Sequence, residues 1–316
     1  MTHELLQITF ITGLLAATMR MATPIIFGTL GEIISERAGV LNLGIEGIML
    51  MGAMTGFLVA LNSGSLWLGV LAAAVVGMVL ALLMAFLAVH LGLSQHVSGL
   101  GITLFCTGLA MFTYRLAVGA PIVPPTVVPF GTIPIPVLSK IPILGDVFFN
   151  QYALVYISWL LAPLVWVLLY RTKAGLELRT VGENPFAADT VGVNVALTRT
   201  LSLVAGGALM GMGGSFLTLA HQNMFLMEVI GGRGWISIAM VIFGNWDPLK
   251  GTLGALTFGF LDALQLRLQA MGLKIPFHLF LVIPYVMTIV ALFGVSRRAS
   301  APAGLLKAYR REEKGG

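Results

Sequence analysis

The feature that most constrains this chain is the length of its uncharged stretches. Between Glu46 and Arg115 lie 68 consecutive positions without Asp, Glu, Lys or Arg, whereas about 20 apolar residues suffice for a helix that crosses the hydrocarbon core of a bilayer. Further uncharged runs occupy 147–170, 200–227 and 275–296. Because these runs are apolar on every face and do not alternate with polar residues, they predict membrane-spanning helices and not the strands of a β-barrel.

Composition also indicates an all-α polytopic membrane protein. Only 10% of the 316 residues are charged, while soluble domains carry about 25% charged residues. The apolar segments predict nine spans, within a range of about 8–10 transmembrane helices. They are 6–30, 43–62, 65–90, 96–118, 151–170, 197–220, 225–246, 249–268 and 276–294. Gly231 and Gly232 interrupt the seventh segment, so a broken or re-entrant helix is the alternative to a full span there.

Basic residues predict which parts of the chain face the cytoplasm. They concentrate in the connection 171–199 and in the tail 295–316, and are Arg171, Lys173, Arg179, Arg199, Arg297, Arg298, Lys307, Arg310, Arg311 and Lys314. We therefore expect a cytoplasmic loop at 171–196 and a basic cytoplasmic tail that sets topology and does not bind nucleic acid. The Pro-rich connection 119–150 is then expected on the outer face as a semi-rigid cap.

The first polar segment reads GEIISERAGVLNLGIEGIMLMGA. Glu32, Glu36 and Arg37 stand between two hydrophobic segments. A solvated cytoplasmic turn is the simplest interpretation of them, and a position that faces the bundle interior or an aqueous cavity is the alternative. Asn42 interrupts the backbone, and Glu46 enters the next span. A carboxylate at membrane depth either pairs within the protein or lines a pathway, and the sequence leaves both open for Glu46.

A short helix is predicted within the 171–196 loop. Asn184 suits the N-cap, Pro185 the first helical position and Gly192 a left-handed end, which places the helix at about 185–191. Its apolar residues are Phe186, Ala187, Ala188 and Val191. We expect a partner to dock on this apolar surface, and packing against the loops of this chain is the alternative.

The third polar segment reads GGRGWISIAMVIFGNWDPLKGTLGA, in which glycines open and close a short apolar stretch that ends near Asn245. Such short, Gly-interrupted helices are typical of binding sites at the midplane of transporters, although packing also explains the glycines. Arg20 and Asp262 lie deep in predicted spans and need partners, either in an internal ion pair or along the pathway. Asn42, Glu46, Asn245 and Asp262 are therefore the candidate pathway residues.

Small residues at a spacing of four predict close helix packing. The pairs are Gly52 and Gly56, Gly207 and Gly211, and Ala255 and Gly259. Cys106, the only cysteine, lies inside an apolar run and is expected to be a packing residue.

Several kinds of catalytic motif are absent from the sequence. No Gly-x-x-x-x-Gly-Lys-Ser/Thr loop occurs, so a subunit that hydrolyses nucleotide would have to be another chain. The five histidines show no metal-ligand spacing and no nucleophile elbow is present. We therefore predict no catalytic residue and no metal site, and the chain is not expected to be an enzyme.

The segments GEIISERAGVLNLGIEGIMLMGA, VGENPFAADTVGV and GGRGWISIAMVIFGNWDPLKGTLGA resemble the signature regions of permease subunits of bacterial ABC importers. The resemblance is to the branched-chain amino acid, ribose and nucleoside superfamily, and the first segment is most similar to the nucleoside and simple-sugar group. It extends from about Arg20 to Gly294 and implies one permease domain over 1–316 in the bacterial inner membrane. The segments that follow Asn42 and Gly231 run in opposite directions, which is compatible with an inverted repeat.

The resemblance also implies partners. They are two ATPase subunits that would hold ATP and Mg²⁺, a second permease subunit in a homodimer or heterodimer, and an extracytoplasmic substrate-binding protein. No cofactor is expected on this chain. The coupling helix of the family, which inserts into a cleft of the ATPase, corresponds to Asn184, Pro185, Phe186, Ala187, Ala188 and Gly192.

The predicted function is thus ATP-driven translocation of a nucleoside, with a simple sugar as the second choice of ligand. The alternative is a secondary carrier that works without an ATPase and uses Glu46 and Asp262 as ion-linked carboxylates.

Overall fold

The computed structural model describes residues 2–270 and 300–309, together with Val282 and Val286 as isolated positions. Its helices are α1 (Thr2–Arg37), α2 (Ile45–Ser63), α3 (Leu66–Ala85), α4 (Gln95–Val118), α5 (Leu144–Phe148), α6 (Ala153–Arg171), α7 (Lys173–Glu183), α8 (Pro185–Thr190), α9 (Val195–Phe216), α10 (Arg233–Phe243) and α11 (Pro248–Ala270). Two short strands, β1 (Thr132–Pro134) and β2 (Asn150–Tyr152), pair antiparallel. The predicted span 276–294 and most of the predicted tail 295–316 lie outside the described residues.

Six helices of the described chain are long and apolar enough to cross a membrane. They are Thr9–Arg37, Ile45–Ser63, Leu66–His90, Gln95–Val118, Ala153–Arg171 and Val195–His221. The helix of the seventh predicted segment begins only at Arg233, after Gly231 and Gly232 at φ of 57° and 80°, so that segment is broken and not a full span. The all-α polytopic class predicted from the sequence is confirmed.

Two sets of three helices share one packing pattern. Helix α1 runs antiparallel to α11 and parallel to α10, and α9 runs antiparallel to α3 and parallel to α2. The contacts that fix the directions of the first set are Ala22–Gly259 and Ile33–Gly251 for α1 and α11, and Ile25–Ser237 and Arg37–Trp246 for α1 and α10. Those of the second set are Gly207–Gly77 and Leu219–Gly69 for α9 and α3, and Gly52–Gly211 and Gly56–Ser215 for α9 and α2. Gly213 of α9 meets Phe27 of α1 and Gly206 meets Gly31, so α1 and α9 run antiparallel. The two sets therefore have opposite directions, which is the pattern of an inverted repeat.

The predicted small-residue pairs lie at these helix contacts. A Cβ atom on Gly207 would overlap the carbonyl oxygen of Gly77, and one on Gly259 would lie 2.8 Å from Ala22. Cys106 is fully buried in α4, as expected for a packing residue. The close backbone approach explains why small residues occupy these positions.

The connections gather at two ends of the bundle. At one end, the Pro-rich loop covers the end of α9, since Val127 N donates to Asn223 O at 2.9 Å and Phe130 N to Leu219 O at 3.0 Å. At the opposite end, the last turn of α1, the 171–196 loop and residues 300–309 contact one another. The two regions predicted to share the cytoplasmic face therefore lie at the same end.

Candidate functional site

Glu46 joins the first and third signature segments at the start of two helices. Its carboxylate accepts hydrogen bonds from the backbone N–H of Gly232 at 2.9 Å and of Gly234 at 2.8 Å. Because Glu46 lies in the first turn of α2 and the glycines lie at the start of α10, the partial positive charges of two helix N-termini face one carboxylate. A Cβ atom on Gly234 would lie 2.6 Å from Glu46 Oε2, so glycine is required at this contact.

The junction of α2 and α10 lies deep in the bundle. Helix α10 has 11 residues and is therefore about 16 Å long, which is roughly half of the hydrocarbon core of a bilayer. Its C-terminal end reaches the end of the bundle where α1 terminates. The junction thus lies near the midplane, where broken helices of transporters meet.

Asp262 forms an ion pair with Arg233, at 3.2 Å between Oδ2 and Nη2. Arg20 has different partners: its Nε donates to Gln151 Oε1 at 2.9 Å and its guanidinium lies 4.8 Å from the centre of the Tyr152 ring. The two deep charged residues that the sequence could not pair are therefore not partners of each other.

The last turn of α1 is buried, which corrects the prediction of a solvated turn. Glu32 and Glu36 are 0% and 2% exposed. Glu36 Oε2 accepts a hydrogen bond from Trp246 Nε1 at 2.6 Å, and Arg37 Nε donates to Trp246 O at 3.0 Å. Helix α1 continues to Arg37 because the turn between α10 and α11 covers these polar groups. No local sequence pattern predicts that contact.

The turn between α10 and α11 has a strained backbone. Trp246 lies at φ of 56°, a region that bulky residues rarely adopt and that costs about 1–3 kcal/mol, whereas Asn245 at φ of 52° is a residue type that tolerates this region. Glu36 and Arg37 hold the turn through the contacts above and through Arg37 Nη2 to Asn245 O at 3.4 Å. A strained turn fixed by side chains of another helix is suited to a switch between two conformations.

Three of the four candidate pathway residues accept hydrogen bonds from backbone N–H groups of this chain. Asn42 is fully buried, and its Oδ1 accepts from Gly44 N at 3.0 Å. Asn245 Oδ1 accepts from Ser300 N at 2.8 Å, and Glu46 caps α10 as described. These contacts give each residue a structural role, and contact with a transported ligand stays a prediction for all four.

The short helix expected at about 185–191 is present as α8. Asn184 Oδ1 accepts a hydrogen bond from Ala187 N at 3.0 Å, which is the predicted N-cap. Pro185 occupies the first helical position and Gly192 lies at φ of 90°. This local structure is predictable from the sequence because each capping residue acts on backbone groups within about four positions of itself.

The side chains of α8 divide into an inner and an outer set. Pro185 is buried and Ala188 is only 2% exposed, packed against α7 and α9. Phe186 is 39% exposed, Ala187 is exposed, and the adjoining Val191 is 78% exposed. A partner that docks on α8 therefore meets Phe186, Ala187 and Val191, and not Ala188.

A cavity of about 410 Å³ opens toward the end of the bundle opposite α8, beside α1, β2 and the ends of α9 and α11. Its polar lining residues are Arg20, Asp146, Asn150, Tyr152, His221 and Arg267. Arg20 and Arg267 already donate hydrogen bonds to oxygen atoms of this chain. Because Asp146 adds a carboxylate, the lining contains charges of both signs and offers both hydrogen-bond donors and acceptors.

Arg199 is a site residue that the sequence pattern did not reveal, because a basic residue at a helix start has an ordinary role in topology. Its side chain is 1% exposed. The guanidinium donates to Ala38 O at 3.2 Å and to Lys307 O at 3.0 Å. A buried charge that binds two distant segments indicates a structural link between them.

Comparison with known proteins gives full-length matches. The sequence matches the family "Branched-chain amino acid transport system / permease component" over residues 14–292. It is 39% identical to a putative glucose ABC transporter permease of Haloferax volcanii, over 96% of this chain and 99% of that protein. It is 36% identical to a guanosine ABC transporter permease of Bacillus subtilis, over 90% and 92% of the two chains. It is also 36% identical to a nucleoside ABC transporter permease of Lactococcus lactis, over 89% and 91%. No solved structure matches the chain.

Proposed function

This chain belongs to the branched-chain amino acid transport system permease family, and on that premise we propose that it translocates a nucleoside, with a simple sugar as the second choice of ligand. It is a multi-pass membrane protein and the permease subunit of an ABC importer. The observation that carries the ligand proposal is the similarity to the guanosine and nucleoside permeases over 90% and 89% of this chain. The similarity to a putative glucose permease supports the second choice.

A permease of this family works with ATPase and substrate-binding components. We assign to it two ATPase subunits, which bind ATP and Mg²⁺, and a second permease that is either a copy of this chain or a related one. In our assignment the C-terminus is cytoplasmic in an inner membrane, the ATPases dock at the α8 end, and the binding protein docks at the 119–150 loop. The support is that the described part of the tail, residues 300–309, lies at the same end of the bundle as the basic 171–196 loop.

Movement starts at α8 in the proposed mechanism. Closure of the ATPase dimer displaces α8 and the adjoining α7. Because ATP binds the closed dimer more tightly than the open one, ATP shifts the equilibrium toward the closed dimer. Gly182 of α7 lies directly against the last turn of α1, since a Cβ atom there would overlap the carbonyl oxygen of Arg37. Arg37 in turn holds the strained turn at Trp246, so displacement of α7 reaches α10.

The ligand passes through the 410 Å³ cavity in this proposal. Its volume lies within the range of about 300–1,000 Å³ that is typical of small-molecule sites. Hydroxyl groups of a neutral sugar both donate and accept hydrogen bonds, which suits a lining that contains Arg20, Asp146 and Asn150. The Tyr152 ring, which already stacks with Arg20, lines the cavity beside these groups and gives a nucleobase an aromatic contact.

Reconstitution into proteoliposomes tests the function. Uptake of radiolabelled guanosine, with glucose as the second probe, is measured with this chain alone and with its ATPase, second permease and binding protein. We expect uptake only from the full set with ATP, and none when ATP is replaced by a non-hydrolysable analogue. Uptake by this chain alone under an H⁺ or Na⁺ gradient would establish the secondary-carrier alternative instead.

A further inference from the structure

Residues 300–309, which lie outside the three signature segments, cross the end of the bundle that carries α8, and we call them the C-terminal strap. The strap is held by its main chain. Its hydrogen bonds are Gly304 N to Gly182 O at 2.7 Å, Ala303 N to Glu183 Oε2 at 3.1 Å and Ser300 N to Asn245 Oδ1 at 2.8 Å. The strap therefore contacts α7 at one point and the turn between α10 and α11 at another.

Arg199 fixes the strap from the inside. Its guanidinium donates to Lys307 O at 3.0 Å and Gly304 O at 3.5 Å in the strap, and to Ala38 O at 3.2 Å after α1. Because the side chain is 1% exposed, loss of these carbonyl oxygens would leave a buried charge without its partners, which is strongly unfavourable. The strap and the end of α1 are thus held together by one residue of α9.

The far end of the strap packs beneath α8. The rings of Tyr309 and Phe186 meet edge to face with centres 5.0 Å apart. Tyr309 also packs against the cluster formed by Val181, Ala188 and Val195. Helix α8 has only 6 residues, too few to form a stable helix in isolation, so its position depends on these neighbours.

We propose that the C-terminal strap and Arg199 position α8 and transmit its displacement to the turn at Asn245 and Trp246. This inference rests on the proposed function of α8 as the ATPase-docking helix. The strap provides a second connection beside the one from Gly182 to Arg37, and both end at the same turn. Two connections to one turn prevent α8 from moving while the turn stays still.

A matched pair of substitutions tests the strap. A Cβ atom on Gly304 would lie 2.7 Å from Gly182 O and 3.3 Å from Pro185 Cδ, so Gly304→Val forces the strap away from α7. Ala303 is exposed, and Ala303→Val is the control. In the assembled transporter, we expect Gly304→Val to retain basal ATPase activity while its stimulation by ligand-loaded binding protein falls at least about fivefold, the lower end of typical coupling factors. Ala303→Val should behave as the unmodified protein.

Truncations and a milder substitution use the same readout. A chain that ends at residue 299 lacks the strap and should lose stimulation, whereas a chain that ends at Tyr309 lacks only residues 310–316 and should keep it. Arg199→Lys retains the charge but has no planar fork for several carbonyl oxygens, so it should lose part of the stimulation. This variant decides the question if Gly304→Val does not fold.

Two patterns of results distinguish a failure of the strap proposal from a failure of the proposed docking role of α8. Full stimulation in Gly304→Val and in the chain ending at 299, with loss of stimulation in Ala187→Arg on α8, would overturn the strap proposal and leave the docking role of α8 in place. Full stimulation and uptake in all of these variants, Ala187→Arg included, would overturn the docking role as well.

Discussion

Three glutamates inside the described bundle, Glu32, Glu36 and Glu46, accept hydrogen bonds from N–H groups of this chain. Glu32 Oε1 accepts from Asn42 N at 2.8 Å, Glu36 from the Trp246 indole, and Glu46 from two backbone N–H groups of α10. Asp262 is paired with Arg233. Glu46 and Asp262 are the carboxylates on which an ion-coupled carrier would rely, and both are engaged by groups of this chain, which favours a permease driven by a separate ATPase.

Glu46→Gln tests the junction of α2 and α10. A glutamine side chain has one acceptor oxygen and an NH₂ donor group, so one of the N–H groups of Gly232 and Gly234 would lose its partner. We expect the protein to lose about 1–3 kcal/mol of stability and to show a lower melting temperature in detergent and reduced uptake. The control is Glu177→Gln on the exposed face of α7. Unchanged melting and uptake for Glu46→Gln would contradict the role of this carboxylate.

Gly234→Ala tests the same junction from the opposite side. A Cβ atom there would lie 2.6 Å from Glu46 Oε2 and 2.7 Å from Glu46 Cα, and such overpacking costs about 1–3 kcal/mol. Gly101 of α4 has open space around it, so Gly101→Ala should stabilise the helix by up to about 1 kcal/mol. Thermal unfolding of the two variants in one detergent should shift in opposite directions, and equal shifts would argue against a tight contact at Gly234.

The long apolar helices could be located from the sequence, but α5, α7 and some helix ends could not. The first span was predicted to end at residue 30, because charged residues follow, whereas α1 continues to Arg37 with Glu32 and Glu36 buried beneath a turn some 210 residues later in the sequence. In contrast, α8 was predicted correctly because its start and end depend on residues next to it. Local signals are readable in one sequence, and contacts between distant segments are not.

The orientation of α8 predicts different effects of substitutions at Ala187 and Ala188, which are neighbouring residues of the same type. Ala187→Arg changes only the exposed face, and it should uncouple ligand-stimulated ATPase activity while the melting temperature stays near that of the unmodified protein. Ala188→Arg forces a charge into the buried cluster with Val181 and Val195, which should cost about 1–3 kcal/mol or more. Measured melting curves and ATPase stimulation distinguish them, and equal destabilisation by both substitutions would contradict the assigned orientation.

The three signature segments are distant in the sequence and form one continuous set of contacts across the whole molecule. From α8 the contacts run through Gly182 to Arg37, then to Trp246, and along α10 to Gly234 and Glu46. Helix α10 connects the strained turn to the junction near the midplane over about 16 Å. The packed path is a physical basis for coupling, and in our proposal the turn at Asn245 and Trp246 is the element that changes conformation.

The orientation of the whole molecule can be tested with single cysteines, because the only native cysteine, Cys106, is fully buried. Ile122 in the Pro-rich loop is 101% exposed and Val191 beside α8 is 78% exposed. In intact cells, a membrane-impermeant maleimide should label Ile122→Cys and leave Val191→Cys and the unmodified protein unlabelled. Permeabilised cells should show labelling of Val191→Cys as well. Labelling of Val191→Cys before permeabilisation would place α8 on the outer face, where no cytoplasmic ATPase could reach it.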